Sequence, residues 1–167
     1  DYYSTASASL LVMKRNASNA ASPEIANKKG RRVIVINEPE ETDIIYAGKM
    51  KELTGGDSIE ARGLYQEPIT FKPQFRIVMI CNNKPNISGL DNGTWRRIKV
   101  IEFSSTFGRT QNIKSKKFYI NKNVKTMITN KIWCQCFVWM LLNKYYDKFK
   151  EEGLNLTPSM VKNQNDY

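Results

Sequence analysis

An α/β fold with a parallel sheet, a β-hairpin insertion and a C-terminal helical region is predicted by three features of this 167-residue sequence. Residues 32–36 (Arg-Val-Ile-Val-Ile) and 75–81 (Phe-Arg-Ile-Val-Met-Ile-Cys) are continuous rather than alternating apolar runs, the pattern of strands covered on both faces. Extended pieces at residues 58–62 and 69–71 flank Gly63 and read as a hairpin. From about residue 121 to 152, Trp133, Phe137, Met140 and Leu141 recur at three- and four-residue steps, a helical period.

The other elements follow from local signals. Residues 4–16 read as a short helix with Leu10, Leu11 and Met13 as its apolar positions. Ser22-Pro23-Glu24 is a helix start, with a capping residue, a proline at the first position and an acidic first turn; Gly30 is its stop. Residues 44–53 read as a helix ending at Thr54-Gly55-Gly56, and residues 98–103 as a third strand. Gly153 and Pro158 close the helical tail, in which Trp133, Phe137 and Met140 are expected in a core and Cys134 and Cys136 in its packing. With no internal repeat and no strong linker, the division expected is a core over residues 1–108 and a basic helical region over 109–167.

Composition narrows the chemistry. The chain has 26 Lys and Arg against 16 Asp and Glu, a net charge of +10, which points to a polyanionic partner such as nucleic acid. Residues 104–150 hold ten of the basic residues and one Asp, so most of the excess lies there. There is no His, which excludes Ser-His-Asp and Cys-His catalysis and imidazole-ligated zinc. Three cysteines without a C-x-x-C argue against a disulfide framework and fit reduced thiols inside a cell. The longest apolar run, residues 132–142, is half of the roughly 20 residues a membrane-spanning helix needs, so no membrane partner is expected.

Three strand-end features carry candidate chemistry. Glu38, Glu40 and Glu41 follow the first apolar strand directly, where α/β proteins bind ligands and where carboxylates hold Mg²⁺ or orient a water. Asn82 ends the second strand, placed to meet a phosphate oxygen. Arg96 and Arg97 precede the third, with guanidinium groups suited to bidentate phosphate contact. Lys51, Arg62, Tyr65 and Lys72, on and around the hairpin, suit single-stranded nucleic acid. Each feature taken singly has an ordinary explanation as a charged turn or a solvated surface.

Order and spacing say more. The chain reads Arg-Arg-Val-Ile-Val-Ile-Asn-Glu-Pro-Glu, then Leu-Thr-Gly-Gly-Asp-Ser-Ile-Glu-Ala-Arg-Gly-Leu-Tyr, then Phe-Arg-Ile-Val-Met-Ile-Cys-Asn-Asn-Lys-Pro, then Gly-Leu-Asp-Asn-Gly-Thr-Trp-Arg-Arg-Ile. This closely resembles the superfamily 3 helicase domain, with its AAA+ P-loop NTPase core, of poxvirus-type and phage/plasmid-type primase-helicases, from about residue 1 to 103 and more weakly to 158. The resemblance implies an ATP- and Mg²⁺-dependent DNA helicase of viral or plasmid replication. It implies a ring, usually a hexamer, on single-stranded or forked DNA at an intracellular viral replication site. By the same resemblance Glu38, with Glu40, matches the Walker B acids, Glu38 serving Mg²⁺. Asn82 matches sensor 1 near the γ-phosphate, and Arg96 or Arg97 the arginine finger that reaches the neighbouring subunit's ATP. The block from Gly55 to Arg62 matches the motif leading into the DNA-contacting hairpin.

Cys81 and Asn83 depart from the residues usual in that family, Thr and His. A larger departure is that no G-x-x-x-x-G-K-[ST] occurs, since the single Gly-Lys, at Gly48-Lys49, is followed by Met50. The expectation is therefore a core cut just after its phosphate loop. The competing readings are a nucleic-acid-binding module without turnover, a ring subunit lending Arg96 or Arg97 in trans, and, most distantly, a metal-dependent nuclease. Without backbone amides and a lysine to cradle a triphosphate, these 167 residues by themselves are predicted to bind ATP poorly and hydrolyse it negligibly. Release of inorganic phosphate above the blank from this polypeptide would contradict that.

Overall fold

The computed structural model describes residues 2–12, 20–89 and 91–166. They form two compact units, Asp1–Ile98 and Lys99–Tyr167.

The first unit is built around three parallel strands in the order β1-β2-β6: β1 (Tyr3–Ala6), β2 (Val33–Asn37) and β6 (Arg76–Ile80). The β-branched run of β2 takes the middle position. Ile34 and Ile36 are fully buried, while Val33 and Val35 on the opposite face are partly covered. Helices α1 (Ser9–Val12) and α2 (Pro23–Ala26) lie between β1 and β2 in sequence and give Leu10, Leu11 and Ile25 to the same core. β6 is an edge among the described strands, with Val78 and Ile80 about half exposed.

Between β2 and β6 the chain makes β3 (Ile44–Tyr46), α3 (Ala47–Thr54) and an antiparallel hairpin, β4 (Ile59–Ala61) with β5 (Ile69–Phe71). The hairpin expected from the sequence is present, and it buries Ile59, Ala61 and Phe71. The Gly55-Gly56 pair makes its entry possible. A Cβ on Gly55 would lie 2.8 Å from the Lys51 carbonyl oxygen, and Gly56 has φ +85°, a conformation that costs a side-chain-bearing residue about 1 kcal/mol or more. After β6, β7 (Asn86–Ser88) pairs in parallel with β3, and α4 (Asn92–Trp95) follows.

Three expectations are corrected here. Within residues 4–16 the chain starts as strand β1 and is helical only over Ser9–Val12; residues 13–19 lie outside the described residues. The small polar residues of β1 gave no apolar alternation, yet the free edge of β2 recruits them, and Arg32 and Val33 amides donate to the Tyr2 carbonyl at 2.7 and 3.1 Å. Residues 44–53 are not all helix. Ile44–Tyr46 pairs with β7, and Ser88 Oγ accepts from the Ala47 amide at 3.2 Å to start α3 there. Residues 98–103 form no strand, because no described strand pairs with them, and Ile101 and Phe103 are exposed.

The second unit holds β8 (Thr106–Gly108) beside β9 (Lys117–Tyr119), then α5 (Val124–Thr129), α6 (Lys131–Met140), a π-helical turn (Leu141–Tyr145), α7 (Tyr146–Glu152) and α8 (Pro158–Asn165). The helical period over 121–152 is borne out with a break at Asn130, whose side chain accepts from the Ile132 and Trp133 amides and caps α6. Gly153, at φ +70°, ends α7, but Pro158 opens α8 rather than closing the region. Trp133 and Phe137, expected in a core, are more than half exposed, Met140 is only partly buried, Cys134 and Cys136, expected in its packing, are exposed, and α6 has no buried residue. A helix this apolar around its circumference is stable in a core, yet Trp133, Phe137 and Trp139 are more than half exposed among the described residues.

Ile34→Ala is expected to cost about 3 kcal/mol in urea unfolding, because it opens a cavity in the central strand. Val78→Ala on the β6 edge should cost less than about 1 kcal/mol.

Candidate functional site

Parallel strands end at the same edge of their sheet, and the β2–β6 register sets Asn37 opposite Ile80. The ladder continues one residue further, with the Glu38 amide donating to the Ile80 carbonyl at 2.8 Å. Glu38 then turns with φ +33°, an uncommon backbone conformation for a residue with a side chain and one found disproportionately at functional sites. Its carboxylate Oε1 accepts from Asn82 Nδ2 at 3.0 Å. Beside it, Asn83 Nδ2 donates to Glu41 Oε1 at 3.2 Å. Glu40 is exposed, its amide held by Asp43 Oδ2 at 2.9 Å while the Asp43 amide returns a bond to the Glu40 carbonyl at 3.0 Å. Sequence thus found Glu38 and Asn82, which the fold brings together, and did not pair Glu41 with Asn83. The offsets differ, three residues between the acids and one between the amides, and gave no pattern to read.

The chemistry of this edge is that of a carboxylate with one oxygen fixed by an amide and the other open to water. Such a group suits a hydrated Mg²⁺, which takes one or two carboxylates and keeps its waters. It does not make a protein cage for a metal: among the described residues no three His, Cys, Asp or Glu side chains cluster. No phosphate-loop motif occurs in the sequence. Desolvation by its surroundings pushes the neighbouring Cys81 thiol up, although the residue is exposed by surface area.

The two arginines sit on a tightly held turn. Asp91 caps α4: its Oδ1 accepts from the Thr94 amide at 2.8 Å and the Thr94 hydroxyl at 3.0 Å. Thr94 is fully buried, and its hydroxyl also lies 3.0 Å from the Gly89 carbonyl. The other Asp91 oxygen, Oδ2, is ion-paired with Lys51 Nζ at 2.6 Å. Arg97 Nη1 donates to the Gly93 carbonyl at 2.6 Å, and Arg96 is exposed. The role of Asp91 and Thr94 escaped the sequence reading, although an Asp three residues before a Thr at the start of Asn-Gly-Thr-Trp is a capping signal.

The hairpin is anchored at its base and open at its tip. Ser22 and Arg62 exchange bonds, the Ser22 amide to the Arg62 carbonyl at 2.8 Å and the Arg62 amide to Ser22 Oγ at 3.3 Å. Tyr65, at the tip, is fully exposed and has φ +56°; Lys72 is exposed just past β5. Lys51 is not on the hairpin but on α3, with its ammonium on Asp91.

Residues 5–97 match the family of unknown function DUF5906. The chain belongs to that family. The matched stretch contains the strand-end pair, the hairpin and the arginine turn. Over 96% of its length the chain is 45% identical to a "putative helicase" of Acanthamoeba polyphaga mimivirus, of which it spans 17%. It is 39% identical over 101 residues to a "putative helicase" of Frog virus 3, covering 58% of this chain and 10% of that protein. It is 24% identical over 154 residues to a "putative primase" of African swine fever virus, covering 90% of this chain and 16% of that protein. The chain is thus homologous to viral proteins named for helicase and primase activity, and spans a small part of each. No helix among the described residues is long and apolar enough to cross a membrane.

The Asp91 contacts give a pH prediction. The Lys51 ammonium, then the Thr94 amide and hydroxyl, hold its carboxyl down to about 2 from an ordinary 3.8. A carboxyl depressed by folding stabilises the fold above its unfolded value, and that contribution is lost as pH falls from about 4 through about 2. Solvent screens this exposed pair, so the effect is small: wild type should outlast Asp91→Asn in urea at pH 7 by a narrow margin, and the gap between their midpoints should close from pH 4 to pH 2. A gap independent of pH would contradict the charge pairing.

Proposed function

We propose that this chain forms part of the ATP-hydrolysing core of a superfamily 3 DNA helicase of viral replication, an AAA+ subunit acting in a ring, usually a hexamer. The observation that carries the reading is the 3.0 Å bond from Asn82 to Glu38 at the shared edge of two adjacent parallel strands. Homology to viral proteins named for helicase and primase activity supports it. The reading requires the phosphate cradle to come from outside these 167 residues.

In this account Glu38 would take a water of the hydrated Mg²⁺ and, with Glu40, would accept a proton from the attacking water, and Asn82 holds the Glu38 carboxylate and meets the γ-phosphate side of the site. Bound Mg²⁺–ATP supplies the electrophilic phosphorus and the charge neutralisation. Arg97 is braced on Gly93, so exposed Arg96 is the better candidate to reach a neighbouring subunit's nucleotide. Such a finger needs a head-to-tail ring contact. Arg62, Tyr65 and Lys72 on the hairpin meet single-stranded or forked DNA, Tyr65 by stacking and the cations through phosphates. The positive charge of the second unit adds sequence-independent attraction to the same polyanion.

The test is Glu38→Gln in the product of the complete gene. ATP affinity should change less than about twofold, while turnover falls at least about a hundredfold, the worth of a positioned general base. Turnover equal to wild type would overturn the proposal. Salt-sensitive DNA binding by a wild type that shows no turnover would favour the non-hydrolysing binding module.

A further inference from the structure

The arginine turn is not held by its own sequence alone. Ser88 and Asp91 grip helix α3 at two points, Ser88 Oγ at its first amide (Ala47, 3.2 Å) and Asp91 at Lys51 Nζ (2.6 Å). Asp91 is at once the cap of α4 and the partner of Lys51, so its two oxygens serve different elements. The packing at this junction is close. A Cβ on Gly93 would lie 3.2 Å from Asp91 Oδ1 and 3.5 Å from Lys51 Cε. Gly93 is also the residue whose carbonyl receives the Arg97 guanidinium. Lys51 lies in the last turn of α3, which runs through Gly55-Gly56 into the hairpin that carries Tyr65. A continuous set of contacts therefore runs from the hairpin's helix to the turn that bears both arginines.

We propose that Lys51 and Asp91 are positioning residues for the arginine turn, and that their ion pair couples the helix leading into the hairpin to the placement of Arg96. This rests on the ATPase reading of the Glu38–Asn82 edge. Their side chains bond to each other and to the cap of α4, so they act by fixing where the turn stands. An exposed ion pair contributes little to global stability, so the consequence falls on geometry. A displacement of about 1 Å in a transition-state contact costs up to about a hundredfold in rate.

The experiment uses the complete gene product and four variants. Lys51→Met keeps most of the side-chain volume, and Asp91→Asn keeps the capping oxygen; each removes the ion pair. The double variant closes the cycle, and Lys51→Arg retains the charge. Each single variant should lower DNA-stimulated kcat for ATP about tenfold or more, with KM changed less than about twofold. The double variant should be no worse than either single one, and Lys51→Arg should recover most of the loss. Limited trypsin digestion supplies a readout independent of activity: cleavage after Arg96 or Arg97 should accelerate in Lys51→Met, with every other site the variant retains cut as in wild type. Full kcat in both single variants, with Glu38→Gln inactive, overturns the coupling and leaves the ATPase reading standing. Strictly additive losses, or faster cleavage at all sites, overturn it as well, since they mark separate or global effects. Full turnover in Glu38→Gln overturns the ATPase reading and the positioning role with it.

Discussion

Ile34 and Ile36 are fully buried on β2, the strand that β1 and β6 flank in parallel, under the core that Leu10, Leu11 and Ile25 share. That pairing governs the geometry of the whole first unit. Parallel strands deliver their C-terminal ends to one edge, so the residues after β2 and β6 must meet there. A slip of one residue would turn the buried isoleucines outward, so the burial that stabilises the strand also fixes which side chains meet beyond it. The Glu38–Asn82 contact is in this sense a consequence of core packing, extended one residue past the ladder.

The crossover between β2 and β6 carries the rest of the unit. Its helix α3 and hairpin are joined by two glycines that cannot be replaced without a clash or an unfavourable backbone conformation. The segment after β6 then returns alongside, pairing β7 with β3 and capping α3 through Ser88 before Asp91 takes Lys51. Strand-end acid, hairpin and arginine turn are thus three products of one path, which is why their order in the sequence is informative.

Much of the central architecture was legible because it is written in apolar runs. The two parallel strands and the hairpin announced themselves through β-branched and extended segments, and the acids and Asn82 through their place at strand ends. β1 was not legible, since Ser, Thr and Ala carry no alternation and the strand forms on an edge supplied by β2. The apolar segment at residues 98–103 misled in the opposite sense: it has strand composition but no strand beside it. Trp133 and Phe137 fit a helical period correctly, yet period reports which face is apolar, not what covers it. Lys51 read as a nucleic-acid contact because its partner in the fold, Asp91, lies 40 residues away.

The decisive point is whether hydrolysis occurs at the edge between Glu38 and Asn82. Iron-mediated cleavage asks this directly. Fe²⁺ replaces Mg²⁺ with ATP on the complete gene product, ascorbate and peroxide generate hydroxyl radicals at the metal, and the cut sites are read by mass spectrometry. ATP-dependent cuts clustered at residues 38–41 and 82–83 are the predicted result. Cuts that ignore ATP, or that fall elsewhere and spare both strand ends, would contradict it.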